Sequence, residues 1–406
     1  MPGKFFVGHA DDQVKGTGVT VIFAPEGATG GVSVRGAAPG TRETDLLKSG
    51  NTVEKINAVV LSGGSAFGLE SCSGVMEYLR EEGCGYKAGK YRVPIVCGAV
   101  LYDLEYKEFA YPDKNMGYLA AKNAVPLDVL IKSGRSEKCG ADAEKGAENS
   151  ECYNGKNSKK NTENLRYSNA GSAEKSEGDL KYYAAENVKN SERHNGAHFK
   201  ENTGNSECNN AGQRGMSGSV GAGTGATIGK ILGAISAVKS GIGIHTAAFG
   251  GIEVTAIVAV NAIGDVYGAD GKIIAGASVG GKFVDTVRLM TEGAFGGELK
   301  GKNTTIGCIV TNAVLTKDET NKLADIAHDG YALAVRPVHT MFDGDTVFAM
   351  ASGEKKGRFA QICAAAVEAT AAAIRDAVSG AYSITESRGN LFKTAIGVWK
   401  QSKGKN

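Results

Sequence analysis

At 406 residues, with 42% hydrophobic and 22% charged side chains, the chain has the balance of a soluble globular protein with a large core, and its length admits one large α/β domain or several smaller ones. A formal net charge of +2 supplies no clustered positive field, so nucleic acid is excluded as an expected partner. The start, Met1 to Ala10, lacks the basic-then-apolar pattern of a secretion signal, no apolar run reaches membrane-spanning length, and the 8 cysteines sit singly, which together predict a reduced, cytoplasmic protein with no membrane partner.

In chain order, Thr17 to Phe23 is short and rich in β-branched residues. Ala58 to Leu61 and Val93 to Leu101 read the same way, and all three are predicted strands. Between the first two of these and the third, Phe67, Leu69, Cys72, Val75, Met76 and Leu79 recur at three- and four-residue steps, predicting an amphipathic helix from near Ser65. From about Ser133 to Met216 (133–216) the chain turns dense in Asn, Lys, Glu, Ser and Gly and loses aliphatic periodicity. Its loose Asn-Ser-Glu repeats, at Asn149, Asn190 and Asn205, keep no constant period, so the stretch reads as a polar insert, disordered or folded out as a flap, and not as a solenoid. Order resumes at Gly221, with strands predicted at Ile252 to Val260, Thr305 to Thr311 and Thr346 to Ala351, and helices at Lys317 to Val335 and Gln361 to Val378. Strands that are apolar on both sides need cover on both faces, which predicts a layered α/β fold.

Several motifs resolve by elimination. Gly223 to Lys230 has the look of a phosphate loop, but Thr224 stands where its first glycine belongs and Ile231 where a hydroxyl must reach Mg²⁺. What remains is a glycine-bordered turn that delivers Lys230 either to a site or to a helix start. Ser65 follows a strand without the spacing of a nucleophile elbow, and a helix N-cap suits it better. Zinc would need His194 and His198 together with Cys139, Cys152 or Cys208, of which only the histidines are close, so no metal or other cofactor is expected. None of His9, His245, His328 and His339 has an evident serine or cysteine partner, and triad chemistry is not indicated.

At Lys302-Asn303-Thr304-Thr305-Ile306 a polar turn feeds an apolar strand, and from the letters alone this is an ordinary turn. Cutting the bond before Thr304 would give one residue both a hydroxyl nucleophile and its own α-amine, with a pKa of about 8, to take the hydroxyl proton. An intact chain reaches that state if the Thr304 hydroxyl attacks the Asn303 carbonyl and water opens the ester. Further on, Asp343 and Asp345 lie two apart before another apolar strand; in an extended segment they would project together, able to orient a hydroxyl or an amine, whereas the other ligands of a calcium loop are missing.

Taken together, Val7-Gly-His-Ala, Gly16-Thr-Gly-Val-Thr-Val, Val34 to Asp45, Val60 to Gly68, Gly221 to Thr227 and Arg336 to Thr346 resemble the DmpA family of L-aminopeptidase/D-amidases, β-peptidyl aminopeptidases and nylon-oligomer hydrolases. The resemblance covers nearly everything outside the insert. It implies an α-β-β-α sandwich of the DmpA/ornithine-acetyltransferase type, similar to N-terminal nucleophile hydrolases. It also implies a single domain cut into an α chain (1–303) and a β chain (304–406), with symmetric oligomers of the αβ unit. By the same similarity Asn303–Thr304 is the autocleavage bond, Thr304 the nucleophile, Asp343 and Asp345 its orienting pair, Asn261 the oxyanion donor, Lys230 an active-site lysine, and Tyr118 a weaker match. A threonine nucleophile with two aspartates looks closest to the nylon-hydrolase branch, since aminopeptidase members commonly use serine with a Ser/Glu pair. The implied activity is hydrolysis of small peptides, β-peptides or ω-amino-acid amides through an acyl-enzyme; an acyltransferase of the ornithine acetyltransferase type and a non-catalytic scaffold are the alternatives.

Overall fold

In the computed structural model residues 5–131, 217–294 and 301–381 are described, with backbone alone for 393–394. The polar insert, with His194, His198 and the three cysteines considered for zinc, lies outside the described residues. The principal strands are β1 (Phe6–Asp12), β2 (Thr17–Val34), β3 (Lys55–Ser62), β4 (Val96–Val100), β5 (Ile242–Phe249), β6 (Ile252–Asn261), β7 (Thr304–Ala313) and β8 (Thr346–Lys355). The principal helices are α1 (Ser71–Glu81), α2 (Lys114–Lys122), α3 (Lys317–Ala334) and α4 (Phe359–Ser379).

Four layers follow from the side-chain alternation of these strands. In β7, Ile306, Cys308 and Val310 point one way and Ile309 and Ala313 the other; in β8, Phe348 and Met350 oppose Val347, Ala349 and Ala351. One set meets Ile22, Ile56, Val59, Leu61 and Cys97 from the amino-terminal strands, forming a core between two layers of strands. The other set packs under α3 and α4, while Val19, Val21, Ala58 and Val60 pack under α1 and α2. The order is therefore helices, strands, strands, helices, and residues from both sides of the insert build one unit.

The two strand layers are continuous in hydrogen bonding because β2 belongs to both. Its first part, Val19 to Phe23, pairs with β3; after an irregularity between Phe23 and Ala28 its second part, Thr29 to Val34, pairs with β8. The strand is 18 residues long, far beyond the seven read from its β-branched start, because Pro25-Glu26-Gly27 lies inside it as a bulge where sequence alone suggests a stop. Helix α3 begins where expected, after Thr316, whose hydroxyl takes the Glu319 N–H at 3.2 Å while Glu319 returns to the Thr316 N–H at 2.9 Å. The helix expected from Ser65 starts later: Ser65–Glu70 is a tighter 3-10 turn, α1 proper begins at Ser71, and Ser65 is not a side-chain cap. No helix among the described residues is long and apolar enough to cross a membrane.

Candidate active site

The register of β6 against β7 sets Asn261 directly opposite Thr304. By alternation both residues share the face of Ile257, Ala259, Ile306 and Cys308, so they stand at one end of the inter-strand core. Thr304 is only 4% exposed, and Asn303 and Asn261 are fully buried.

The Asn303 carbonyl oxygen receives two donors, the Thr304 hydroxyl at 2.5 Å and the Gly344 N–H at 3.0 Å. Gly344 is required by space: a Cβ there would fall 2.9 Å from the Thr304 hydroxyl and 2.5 Å from the Ala38 carbonyl. The turn that carries it is pinned from the far half of the chain. Ala38 N–H donates to the Asp343 carbonyl at 2.9 Å, and Arg35 and Gly36 donate to the Asp345 carbonyl at 3.0 and 3.2 Å.

Asp343 pairs with Asn303 in an isolated parallel β-bridge, and Asp345 directly precedes β8. Their side chains nevertheless serve different neighbours. Asp343 accepts from the Thr340 hydroxyl, from Thr340 N–H at 3.1 Å and from Ile263 N–H at 3.5 Å. Asp345 accepts from Thr305 N–H at 2.7 Å on one oxygen and from His339 N–H at 3.0 Å and its ring Nδ1 at 2.8 Å on the other. Burial, and then the charge of Asp345, push the Asp343 carboxyl up to about 7. Both carboxylates are surrounded by hydrogen-bond donors, an arrangement that suits an anion and its proton rather than calcium.

Lys230 reaches the site because Gly229 takes φ +71° against the Ala277 backbone, where a Cβ would meet Ala277 N at 2.1 Å. Its ammonium donates to Asn261 Oδ1 at 2.8 Å, to the Asn261 carbonyl at 3.0 Å and to the Lys302 carbonyl at 2.9 Å. Burial lowers it to about 7, against the opposing charges of Asp343, Asp103 and Glu105. With Thr227 N–H also donating to Asn261 Oδ1 at 3.0 Å, the amide orientation is fixed: Nδ2 must be the outward donor, and it points to the carbonyls of Tyr102 (3.0 Å) and Lys302 (3.3 Å).

Thr304, Asn303, Asn261, Lys230 and the two aspartates are thus brought together. Tyr118 is not: it sits on α2 in the outer helical layer, donates to Glu81 at 2.7 Å and packs edge-on against Tyr78. Three contributors escaped the sequence reading, namely the Gly344 N–H, the Tyr102 carbonyl and His339. Gly344 and His339 lie within the Arg336 to Thr346 block, but nothing in the letters marks their bonds.

Behind the site Lys239 is fully buried and donates to the carbonyls of Gly223 (2.8 Å), Ala226 (2.9 Å) and Ser240, fastening the loop that leads to Lys230. Burial lowers it to about 7 from an ordinary 10.5, opposed by the charge of Asp103. Between those two values the unfolded chain binds a proton that the folded chain does not. This residue therefore makes stability rise with pH across that window and contributes no slope below it. Lys239→Met is expected to flatten the rise in unfolding free energy measured by denaturant melts between about pH 7.5 and 9.5, leaving the share due to Lys230. An unchanged slope would count against a neutral Lys239.

The model for Peptidase family S58 matches residues 5–132 and 178–392. The chain belongs to this peptidase family. Among its relatives, an uncharacterized aminopeptidase of Mycobacterium leprae (strain TN) is 31% identical over 362 residues, covering 88% of this chain and 73% of the relative. A 6-aminohexanoate-oligomer endohydrolase of Agromyces sp. (strain KY5R) is 25% identical over 362 residues, covering 86% of this chain and 73% of the relative. Two solved structures share the fold. The Burkholderia sp. beta-aminopeptidase superposes with a TM-score of 0.56 at 15% identity, over 98% of this chain and 91% of the other. The L-aminopeptidase D-Ala-esterase/amidase of Ochrobactrum anthropi, a variant of the Ntn hydrolase fold, does so with 0.56 at 13%, over 98% and 92%. The DmpA resemblance and the sandwich fold are thereby established, and this S58 chain is a hydrolase of peptide or amide bonds.

Proposed function

We propose that the chain cuts itself between Asn303 and Thr304, and that Thr304, as the new amino terminus of a 304–406 chain, is the nucleophile of an amide hydrolase. The observation that carries this reading is the Asn303 carbonyl, polarised by the Gly344 N–H while the Thr304 hydroxyl lies against it. In self-cleavage the Thr304 Oγ1 bonds to the Asn303 carbonyl carbon, the C–N bond breaks and the hydroxyl proton ends on the released nitrogen. Water then opens the ester, leaving a carboxylate on Asn303 and restoring the hydroxyl.

The freed α-amine, with a pKa of about 8, takes the hydroxyl proton in each later turnover, so no cofactor enters. Departure of the Lys302-Asn303 end releases Lys230 Nζ and Asn261 Nδ2 from the Lys302 carbonyl, and these two donors then face the substrate carbonyl. Asp345, fixed to Thr305 N–H, and Asp343, whose carboxyl burial pushes up, are the pair that orients the nucleophile. The substrates in this reading are small peptides, β-peptides or ω-amino-acid amides, supported by relatives named as aminopeptidases and as 6-aminohexanoate-oligomer endohydrolases. The single free cysteines Cys72, Cys84, Cys97, Cys308 and Cys363 suit a cytoplasmic enzyme, and the αβ unit is taken to self-associate.

Denaturing mass measurement of purified protein tests the proposal. Two fragments, one ending at Asn303 and one starting at Thr304, are expected; a chain that stays whole while turning over amides would refute it.

A further inference from the structure

The contacts of Asp345 assign a task to a residue that the proposed chemistry leaves unused. We infer that His339 is a positioning residue: its ring fixes the Asp345 carboxylate, and through it the start of the strand that carries Thr304. The inference rests on Thr304 being the nucleophile.

Asp345 Oδ1 is bound by Thr305 N–H at 2.7 Å, one residue beyond Thr304. Oδ2 is bound twice by one residue, through the His339 N–H at 3.0 Å and ring Nδ1 at 2.8 Å. An ionised carboxylate only accepts, so Nδ1 carries the proton. Nε2 has no hydrogen-bond partner among the described residues, which leaves Asp345 as the one hydrogen-bonding contact of this ring.

The ring is itself held. It lies edge-on to His328 with centroids 4.7 Å apart and stacks on Tyr331 at 6.0 Å. His328 meets the Ser33 carbonyl at 3.0 Å through Nε2, so that nitrogen must donate, and burial lowers its pKa to about 4. Tyr331 is buried under β7, where a Cβ on Gly307 would meet its hydroxyl at 2.8 Å. His339 also takes φ +57°, a left-handed conformation that costs most L-residues about 1–2 kcal/mol and that Asn tolerates better. A residue spent at that conformation aims its amide and its ring at the same oxygen.

The backbone conformation supplies the discriminating variants. His339→Gly keeps the φ and removes the ring; His339→Asn keeps the φ and still offers a side-chain N–H. Self-cleaved protein is assayed on amino-acyl p-nitroanilides and 6-aminohexanoate oligomers, with thermal melts beside it. His339→Gly is expected to lose about 10²-fold in kcat with KM little changed, because a nucleophile misplaced by about 1 Å loses rate rather than binding. His339→Asn is expected to recover most of that loss. Should the Gly variant not fold, His339→Asp, equal in size to Asn and without a proton to give when ionised, takes its place and is expected to be slow. Equal kcat in wild type and His339→Gly, or an Asn variant as slow as the Gly or Asp variant, overturns the inference. An uncut but active wild type would instead refute the nucleophile reading, so the two failures are distinct.

Discussion

Thr304→Ala is expected to leave the chain whole and without measurable amide hydrolysis, whereas Thr304→Ser retains both self-cleavage and turnover. Alanine removes the hydroxyl that lies against the Asn303 carbonyl, while the fold has little reason to fail: Thr304 is a strand residue whose pairing with Asn261 uses backbone alone, and its hydroxyl contacts the adjacent carbonyl. Serine keeps the oxygen and the α-amine and loses one methyl, a change costing on the order of 1 kcal/mol of packing. Removal of a covalent nucleophile in comparable hydrolases lowers kcat by about 10⁶-fold, so any residual rate should fall below detection. Mass measurement reads the cleavage, and initial rates read turnover. A Thr304→Ala chain that still yields two fragments would place the cleaving group elsewhere.

The second large effect separates two reactions that share one nucleophile. Asn261→Ala is expected to lower kcat by about 10²–10³-fold, the usual cost of losing one oxyanion donor, while self-cleavage continues. The difference follows from where the donors point in the uncut chain: Asn261 Nδ2 is directed at Tyr102 and Lys302, whereas the Asn303 carbonyl is held by the Gly344 N–H. Truncation also orphans Thr227 N–H and one bond of Lys230, at about 1–3 kcal/mol for a buried unpaired donor, so a denaturant melt belongs beside the rates. Loss of cleavage together with turnover in a folded variant would mean that one oxyanion site serves both reactions.

These two residues also show how far letters reach. Thr304 was singled out by the DmpA resemblance, since from the letters alone Lys302 to Ile306 reads as an ordinary turn into a strand. Asn261 was legible only through the resemblance, since a strand-end asparagine carries no mark of the residue it faces. Tyr118 shows the converse: a match by resemblance that the packing assigns to Glu81 and Tyr78 in the outer layer.

By itself the sequence determined the layered α/β class and the main strands and helices, because hydrophobic period and turn chemistry act between residues close in the chain. Only the tertiary structure decided that β2 joins both strand layers, that Gly344 offers its N–H to the Asn303 carbonyl, and that His339 grips Asp345. Those contacts depend on register and on a turn clamped by residues some three hundred positions away, and such geometry is set by packing between elements that no local pattern encodes.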